Sequence, residues 1–391
     1  MYNREKKKPL AVDGREQAMI KPGATIGILG GGQLGRMIAL AGREMGYRFV
    51  VQDPTPDSPC GQVCDEQLVA SYDDRDAARM LAAKSDVITY EFENVDAQVA
   101  EILESEASVP QGSRLLTITQ NRIREKNAIQ ASGLPIAAFQ VVASAEEARN
   151  AVGELGTPAI MKTATGGYDG KGQRVIQSIE EAEEAFNQLA QSGAELIIEE
   201  FVPFMMELSA VVARNAAGET AVFPIAENVH QQNILHLSMA PARVSSDILQ
   251  RAEKIAVELA EKLNMVGLLA VEMFLTKDGK LYINELAPRP HNSGHYTMDA
   301  CVTSQFEQHV RAICNLPLGS TRLLTPVVMI NILGEHVAPI LDKIGTLPTT
   351  VKLHLYGKQE AKEKRKMGHL NIIADSVEEA LQIVDELKIW S

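Results

Sequence analysis

The 391-residue chain has only four cysteines, no surplus of positive charge and no long apolar run. Cys60 and Cys64 lie four apart, but no matching second pair near a histidine completes a metal site. Free thiols in a reducing compartment are therefore expected. Lys and Arg total 38 against 51 for Asp and Glu, a formal net charge of −13. That balance argues against a duplex nucleic-acid partner, which needs a positive footprint. No stretch reaches the roughly 18 consecutive apolar residues of a membrane span, so a soluble, cytoplasmic protein with no membrane partner is expected. Residues 1–21 are polar and locally basic through Arg4, Lys6, Lys7 and Lys8, without the apolar core of a signal peptide. Residues 1–22 are expected to form a disordered leader outside the fold. Internal repeats and low-complexity segments are also missing. What remains, 45% hydrophobic and 23% charged, is ordinary globular composition, and the length predicts two or three domains.

Residues 24–29 form an apolar run that ends in Gly30-Gly31-Gly32-Gln33-Leu34-Gly35. Leu34, Met37, Ile38, Ala41 and Met45 then share one helical face. Further strands are expected at 48–52, ending at Asp53, and at 87–90, ending at Glu91. Strand, glycine turn, helix, strand is the pattern of a parallel sheet covered by helices, so the first domain is α/β and should end near Gln120. Ser144, Ser178 and Ser376, each followed three residues later by Glu, read as capping boxes that open helices. Strands are expected at 159–163, 173–176 and 196–200, and an amphipathic helix at 247–263. A further domain, from about residue 325, carries apolar runs at 327–333 and 351–356.

The first glycine cluster matches G-x-G-x-x-G at Gly30, Gly32 and Gly35, with Asp53 where a dinucleotide site places its ribose-binding acid. A tight strand-to-helix turn produces the same pattern, so a phosphorylated ligand is the broader expectation. The second cluster is more specific. Lys162 ends one strand, and Gly166, Gly167, Tyr168, Asp169, Gly170, Lys171 and Gly172 lead into the next. Such a loop can close over a triphosphate, with its N–H groups and Lys171 offsetting negative charge. It lacks the G-K-[ST] ending of a P-loop.

A hairpin register supplies the third feature. If Asp278-Gly279 forms a two-residue turn, Lys277 pairs with Lys280 and Glu272 faces Glu285. Opposed carboxylates about 5 Å apart repel, and a hard divalent cation such as Mg2+ removes that penalty. Asn284 could add an oxygen. Prolines then flank Arg289, and His291, Asn292, Ser293 and His295 follow, a loop suited to a small oxyanion beside the metal. Glu199, Glu200, Phe201 and Val202 could turn backbone toward a purine edge, Glu207 could take ribose hydroxyls, and the role of His230 stays open. Lys358, Lys362, Lys364, Arg365 and Lys366 form a cationic run that reads either as a solvated face or as a phosphate site.

These residues together resemble the ATP-grasp ligases: a Rossmann-like N-terminal domain, a central ATP-grasp domain with a mobile lid, and a small β-rich C-terminal domain. Residues 31–37, 89–94, 166–173, 288–295 and 365–369 are similar to the N5-carboxyaminoimidazole ribonucleotide synthetases of purine biosynthesis. The resemblance implies a division into 23–121, 122–322 with the lid at about 135–200, and 323–391. It implies ATP-dependent carboxylation of aminoimidazole ribonucleotide with bicarbonate, in an enzyme that is often a homodimer. By the same resemblance Arg122, Lys162, the 166–172 loop, Glu199–Val202, Glu207, His230, Asn284 and Glu285 would bind ATP. Glu272 and Glu285 would hold magnesium. Arg289 and His291 would steady bicarbonate, with Tyr168, Asp169 and Lys171 also at the reacting centre. Gln33, Glu91, Asn292, Ser293, Lys358 and Arg365 would face the ribonucleotide. Lys171 stands where many members have Arg. Two alternatives stay open here, a formate-using glycinamide ribonucleotide transformylase and, more distantly, an NAD-dependent oxidoreductase.

Overall fold

The computed structural model describes residues 18–167 and 171–390. Most of the leader, and Tyr168, Asp169 and Gly170 of the second glycine loop, lie outside the described residues. The leader's end is not detached. Ile20 donates its N–H to the Cys314 carbonyl at 2.9 Å and accepts from the Tyr47 hydroxyl at 2.6 Å.

The strands Thr25–Leu29, Arg48–Gln52, Glu66–Leu68 and Val87–Tyr90 form a parallel sheet with the first at its interior and Val87–Tyr90 at one edge. The helix Gln33–Glu44 follows the glycine turn and buries Leu34, Met37 and Ile38 as its periodicity predicts. Its other partner is the helix Gln305–Ile313, whose Phe306, Val310 and Ile313 join the same core as Ile38 and Phe49. Gly42 makes room for the ring of Phe49 from the strand Arg48–Gln52, since a Cβ there would lie 2.3 Å from it.

Four antiparallel strands make a separate small sheet in the order Phe139–Val142, Leu196–Glu200, Ala159–Thr163, Gln173–Ile176. Helices Ala145–Leu155 and Glu181–Ala190 cover it with their own core, including Ala148, Val152, Ala182 and Ala185. Ser144 and Ser376 cap as expected, their hydroxyls accepting from Glu147 and Glu379 N–H at 3.1 Å. Ser178 does not. The helix starts later, at Glu181, and Ser178 offers its backbone carbonyl instead.

The remaining strands form one large antiparallel sheet, ordered Leu281–Ala287, Gly267–Thr276, Phe204–Arg214, Ala226–Gln231, Ile234–Ala240, Val327–Leu333, Lys366–Ile373, Val351–Leu355. The β-rich C-terminal part is thus a continuation of the central sheet, through pairs such as Met239 with Val328. The helix Ser246–Lys262 packs on the sheet through Ile248, Ala252, Ala256 and Leu259.

The hairpin carrying Glu272 and Glu285 corrects the register argument while keeping its result. Thr276, not Lys277, closes the turn, with Thr276 N–H to Lys280 O at 3.0 Å and Gly279 N–H to Thr276 O at 3.0 Å. Three residues, Lys277, Asp278 and Gly279, make the loop, and Gly279 takes φ +78°. Pairing is therefore one residue out from the expected count at Met273–Ile283, and a bulge at Asn284 restores it at Glu272–Glu285. The bulge is what lets both carboxylates meet. Gly279→Ala should cost about 1 kcal/mol by forcing a side chain into the left-handed region. Urea unfolding measures this, and an unchanged midpoint would contradict the turn.

Candidate active site

A series of side-chain contacts connects the three parts of the fold. Lys162 pairs with Ile197 across the small sheet, so Glu199, two residues on, lies diagonally on the same face. The Glu199 carboxylate accepts from Lys162 Nζ at 3.1 Å and from Lys126 Nζ at 3.1 Å. All three are buried. Burial pushes the Glu199 carboxyl up, but the two lysines outweigh it and hold it down at about 2. Burial lowers Lys162, against the pull of Glu199. Both lysines meet the same oxygen, Oε2, of the inward-facing Glu199 side chain, and its Oε1 is buried without a partner. Glu200 is exposed, Phe201 half-buried and Val202 buried, in the connection between the small and central sheets.

The glycine loop between Lys162 and Gln173 closes through Thr163 N–H to Gly172 O at 2.8 Å. Gly166 and Gly172 both have positive φ, and a Cβ on Gly172 would lie 2.5 Å from the Thr163 hydroxyl. Arg122 donates its backbone N–H to Ala164 O at 2.9 Å and sets its guanidinium 3.6 Å from Glu285. A cleft of about 460 Å³ separates Thr165 and Gly166 from Tyr72, Asn94 and Gln120 of the first domain.

Glu272 is pushed up to about 7, first by burial and then by Glu285 opposite it. Asn284, half-buried at the bulge, sits beside them. Among the described residues no three metal-ligating side chains converge, so a cation here would take this pair and oxygens from bound ligands or water. His291 Nε2 lies 3.3 Å from Glu272. Burial and then Arg289 hold the imidazole well below its usual pKa, so it is neutral. Ser293 N–H donates to Nδ1 at 3.3 Å, which leaves the proton on Nε2, toward Glu272. Ser293 itself is fully buried, with its hydroxyl 2.8 Å from both His291 Nδ1 and Ser209 Oγ. Both contacts of its hydroxyl are to protein, and one of them orients the His291 ring. Asn292 buries both amide atoms without a partner, leaving a donor and an acceptor for a bound group. Glu207 and His230 form an ion pair. Burial lowers His230, but Glu207 more than offsets it.

The first glycine turn is occupied by the chain's own carboxylates. Glu91 accepts from Gly32 and Gly35 N–H, the latter at 2.7 Å. Asp53 accepts from Gly31 N–H at 2.7 Å, from Thr55 N–H at 2.8 Å and from the Tyr72 hydroxyl. A buried Asp53 so engaged cannot read a ribose, and the Gly31, Gly32 and Gly35 N–H groups are all taken by carboxylates. The dinucleotide reading is therefore overturned. Gln33 opens the following helix, half-buried.

Of the cationic run, Lys358 is half-buried, donates to Lys366 O at 2.7 Å and feels the Glu91 charge. Lys362 is exposed and paired with Glu360 at 2.7 Å. Lys364 is exposed and donates its N–H to Glu335 at 2.8 Å. Among these three, Lys358 is the lysine whose charge meets a candidate site residue, Glu91. Arg365 is exposed beside it, its guanidinium on Glu360 O at 3.0 Å.

Four residues were not singled out as site residues from sequence. Lys126 and Glu125 lie on the helix Arg122–Ala131, where an i, i+3/i+4 reading of charge suggests only a solvated face. Glu93 holds Arg289 at 2.7 Å. The charge of Lys366 reaches Glu272, His230 and His291. Glu91 and Glu93 form a Glu-x-Glu just beyond the strand Val87–Tyr90, one on the glycine turn and the other on Arg289.

The paired strands with opposed carboxylates, set against a small sheet that carries a lysine and a glycine loop, define an ATP-grasp enzyme. Residues 127–306 match the ATP-grasp domain family, 23–120 the ribonucleotide synthetase preATP-grasp domain, and 327–383 the phosphoribosylaminoimidazole carboxylase C-terminal domain. The N5-carboxyaminoimidazole ribonucleotide synthase of Bacillus subtilis (strain 168) is 53% identical over 364 residues, 93% of this chain and 95% of that protein. The Brucella melitensis enzyme of the same name is 43% identical, over 92% of this chain and 98% of its own. A crystal structure of an N5-carboxyaminoimidazole ribonucleotide synthetase with ADP superposes at TM-score 0.92 and 57% identity, covering 95% of this chain and 98% of that one. The Aspergillus clavatus enzyme, solved with ADP and 5-aminoimidazole ribonucleotide, gives TM-score 0.85 at 32% identity, covering 93% and 97%. The chain belongs to the N5-carboxyaminoimidazole ribonucleotide synthetase family.

Glu125 offers a stability test of this geometry. Its carboxylate accepts from Leu286 N–H at 2.8 Å. Burial, then Glu285, pushes it up to about 8 from an ordinary 4.5, against the pull of Lys126. The native chain thus retains a proton that the unfolded chain releases across this window, and stability falls as pH rises through it. Glu125→Gln keeps the acceptor and removes the titration. It should exceed wild type by at least about 1 kcal/mol at pH 9 and match it near pH 4.5 in urea unfolding.

Proposed function

We propose that this chain joins bicarbonate to the amine of 5-aminoimidazole ribonucleotide at the expense of ATP, giving N5-carboxyaminoimidazole ribonucleotide, ADP and phosphate. The observation that carries the reading is the opposed Glu272–Glu285 pair, with His291 3.3 Å from Glu272 and Arg122 3.6 Å from Glu285. Family membership supports the substrates, since the relatives carry that name and one was solved with ADP and the ribonucleotide.

On this reading Arg122, Lys162, Lys171 and the 166–172 glycines receive the ATP phosphates, residues 199–202 the base, and Glu207 with His230 the ribose side. Glu272, Glu285 and Asn284 fit magnesium, because an all-oxygen cation relieves the repulsion that raises Glu272. Bound there, the ion would neutralise charge on the transferring phosphoryl group. Arg289 and the neutral His291 hold bicarbonate, whose oxygen attacks the terminal phosphorus as ADP leaves. The carboxyphosphate so formed meets the substrate amine, which attacks its carbonyl carbon, loses a proton and displaces phosphate. Gln33, Glu91, Tyr168, Asp169 and Asn292 are assigned to the aminoimidazole side, and Lys358 and Arg365 to its phosphate. Alignment of the reactants and charge stabilisation carry such transfers.

The same reading keeps the division into 23–121, 122–322 and 323–391 and places a homodimer in the cytoplasm. No helix among the described residues is long and apolar enough to cross a membrane, and all four cysteines are free. Leu341 and Ile344, 45% and 55% exposed one helical turn apart, favour a self-association face that sedimentation can test.

Phosphate release from MgATP should require aminoimidazole ribonucleotide and bicarbonate together, and Glu285→Gln should reduce it at least about 100-fold. Stimulation only by glycinamide ribonucleotide with formate would move the function to the transformylase. Lys358 supplies a pH test. Burial, then Arg365, lowers its ammonium to about 8, so the cation fades as pH rises through that value. The KM for aminoimidazole ribonucleotide should rise between pH 7.5 and pH 9 and stay flat in Lys358→Met.

A further inference from the structure

The loop bearing Arg289 and His291 is gripped from outside by one buried amide. Gln305 opens the helix Gln305–Ile313 and is fully buried. Its Oε1 accepts from His291 N–H at 2.9 Å, while its Nε2 donates to the His291 carbonyl at 2.8 Å. An acceptor is needed on one side and a donor on the other, so the amide has a single workable orientation. Nε2 also lies 3.0 Å from His295 Nδ1, which must then accept, leaving the His295 proton on Nε2. Gly294 makes room for this approach, since a Cβ there would stand 2.5 Å from Gln305 Oε1.

Gln305 is not occupied with its own helix. Ser304 provides the cap, its hydroxyl accepting from Glu307 N–H at 3.1 Å, and Gln305 N–H goes to the Thr297 hydroxyl at 2.9 Å. The side-chain bonds all go to residues 291 and 295. The His291 ring is oriented separately, by Ser293 on Nδ1 and by Glu272 near Nε2. Backbone and ring of His291 are therefore fixed by different partners.

We propose that Gln305 is a positioning residue for the carboxylation: by holding both backbone polar groups of His291 it sets where His291 and Arg289 stand relative to Glu272, and so how bicarbonate is received. This rests on the function proposed above. Losing the amide leaves the His291 N–H unpaired and its carbonyl with the Gly294 N–H alone, at 2.9 Å, so the loop will shift to find another acceptor. The lost geometry falls on bicarbonate, since the ATP contacts lie on other elements.

The test compares wild type with Gln305→Met, which removes all three bonds at similar volume, and Gln305→Glu, which keeps the acceptor but sets a carboxylate oxygen against the His291 carbonyl. Bicarbonate, MgATP and aminoimidazole ribonucleotide are varied separately in bicarbonate-depleted buffer. Amide hydrogen exchange is followed in the peptide spanning residues 288–295. Both variants should raise the KM for bicarbonate tenfold or more, leave that for MgATP within twofold, and accelerate exchange at His291. Unchanged KM values with only a lower kcat would mark a purely structural glutamine and overturn the proposal, as would unaltered exchange. If Gln305→Met fails to fold, Gln305→Glu decides. A wild-type enzyme without bicarbonate-dependent turnover would instead sink the function reading, and exchange at His291 would still judge the clamp.

Discussion

Glu272 and Glu285 are opposed across a hairpin whose bulge fixes their register, and like charges so placed must be compensated from outside the pair. The surrounding groups show how. Arg122 stands 3.6 Å from Glu285, the neutral His291 sets its Nε2 3.3 Å from Glu272, and His230 and Lys366 add positive field from other strands of the same sheet. Compensation is incomplete, since Glu272 is still pushed up to about 7 and Glu125 behind it to about 8. Burial is the first cause of both shifts and the Glu285 charge the second. A hard cation at the pair would remove the second of these, which is the role the reading proposed above gives to magnesium.

The same constraint explains why the first domain and the central sheet must be locked together. Arg289 is drawn toward Glu93 at 2.7 Å, so the first domain supplies the counter-charge for the oxyanion loop. Gln111 completes the lock. Its Nε2 donates to the Pro288 carbonyl at 3.1 Å, and its Oε1 accepts from Tyr90 N–H, one residue before Glu91. Glu91 in turn is held on the glycine turn by two N–H groups. The glycines that suggest an anion site do bind an anion, and it is a carboxylate of the chain itself. The turn thus positions Glu91 where a dinucleotide site would position a pyrophosphate.

Regular elements were legible because their signals are local. Runs at 87–90, 159–163, 173–176, 196–200 and 327–333 coincide with the observed strands. Candidate site residues were legible where one segment carries them together, as at 288–295, where Arg289 and His291 stand beside Glu93 and Glu272. The carboxylate pair was found through two errors that cancelled, a turn one residue too short and an unforeseen bulge at Asn284. Groups that act by burial were not legible. Lys126 looks like any charged helix residue until the small sheet brings Glu199 to it. Ser293 looks like a ligand until its hydroxyl is seen between His291 and Ser209.

Lys126 also keeps the buried lysine of the small sheet from being fully neutralised by its carboxylate. Lys162 alone against Glu199 would form a neutral buried pair, with little charge left for a nucleotide. Two lysines on one carboxylate leave the trio with a net positive charge, in a setting that burial makes electrostatically strong. Lys126 sits on the helix Arg122–Ala131 and Lys162 on the small sheet, so Glu199 ties that sheet to the helix that also places Arg122. The excess charge is therefore delivered at the junction between that sheet and the helix Arg122–Ala131, where the reading proposed above puts the triphosphate. An anion there would offset the charge that the trio leaves uncompensated.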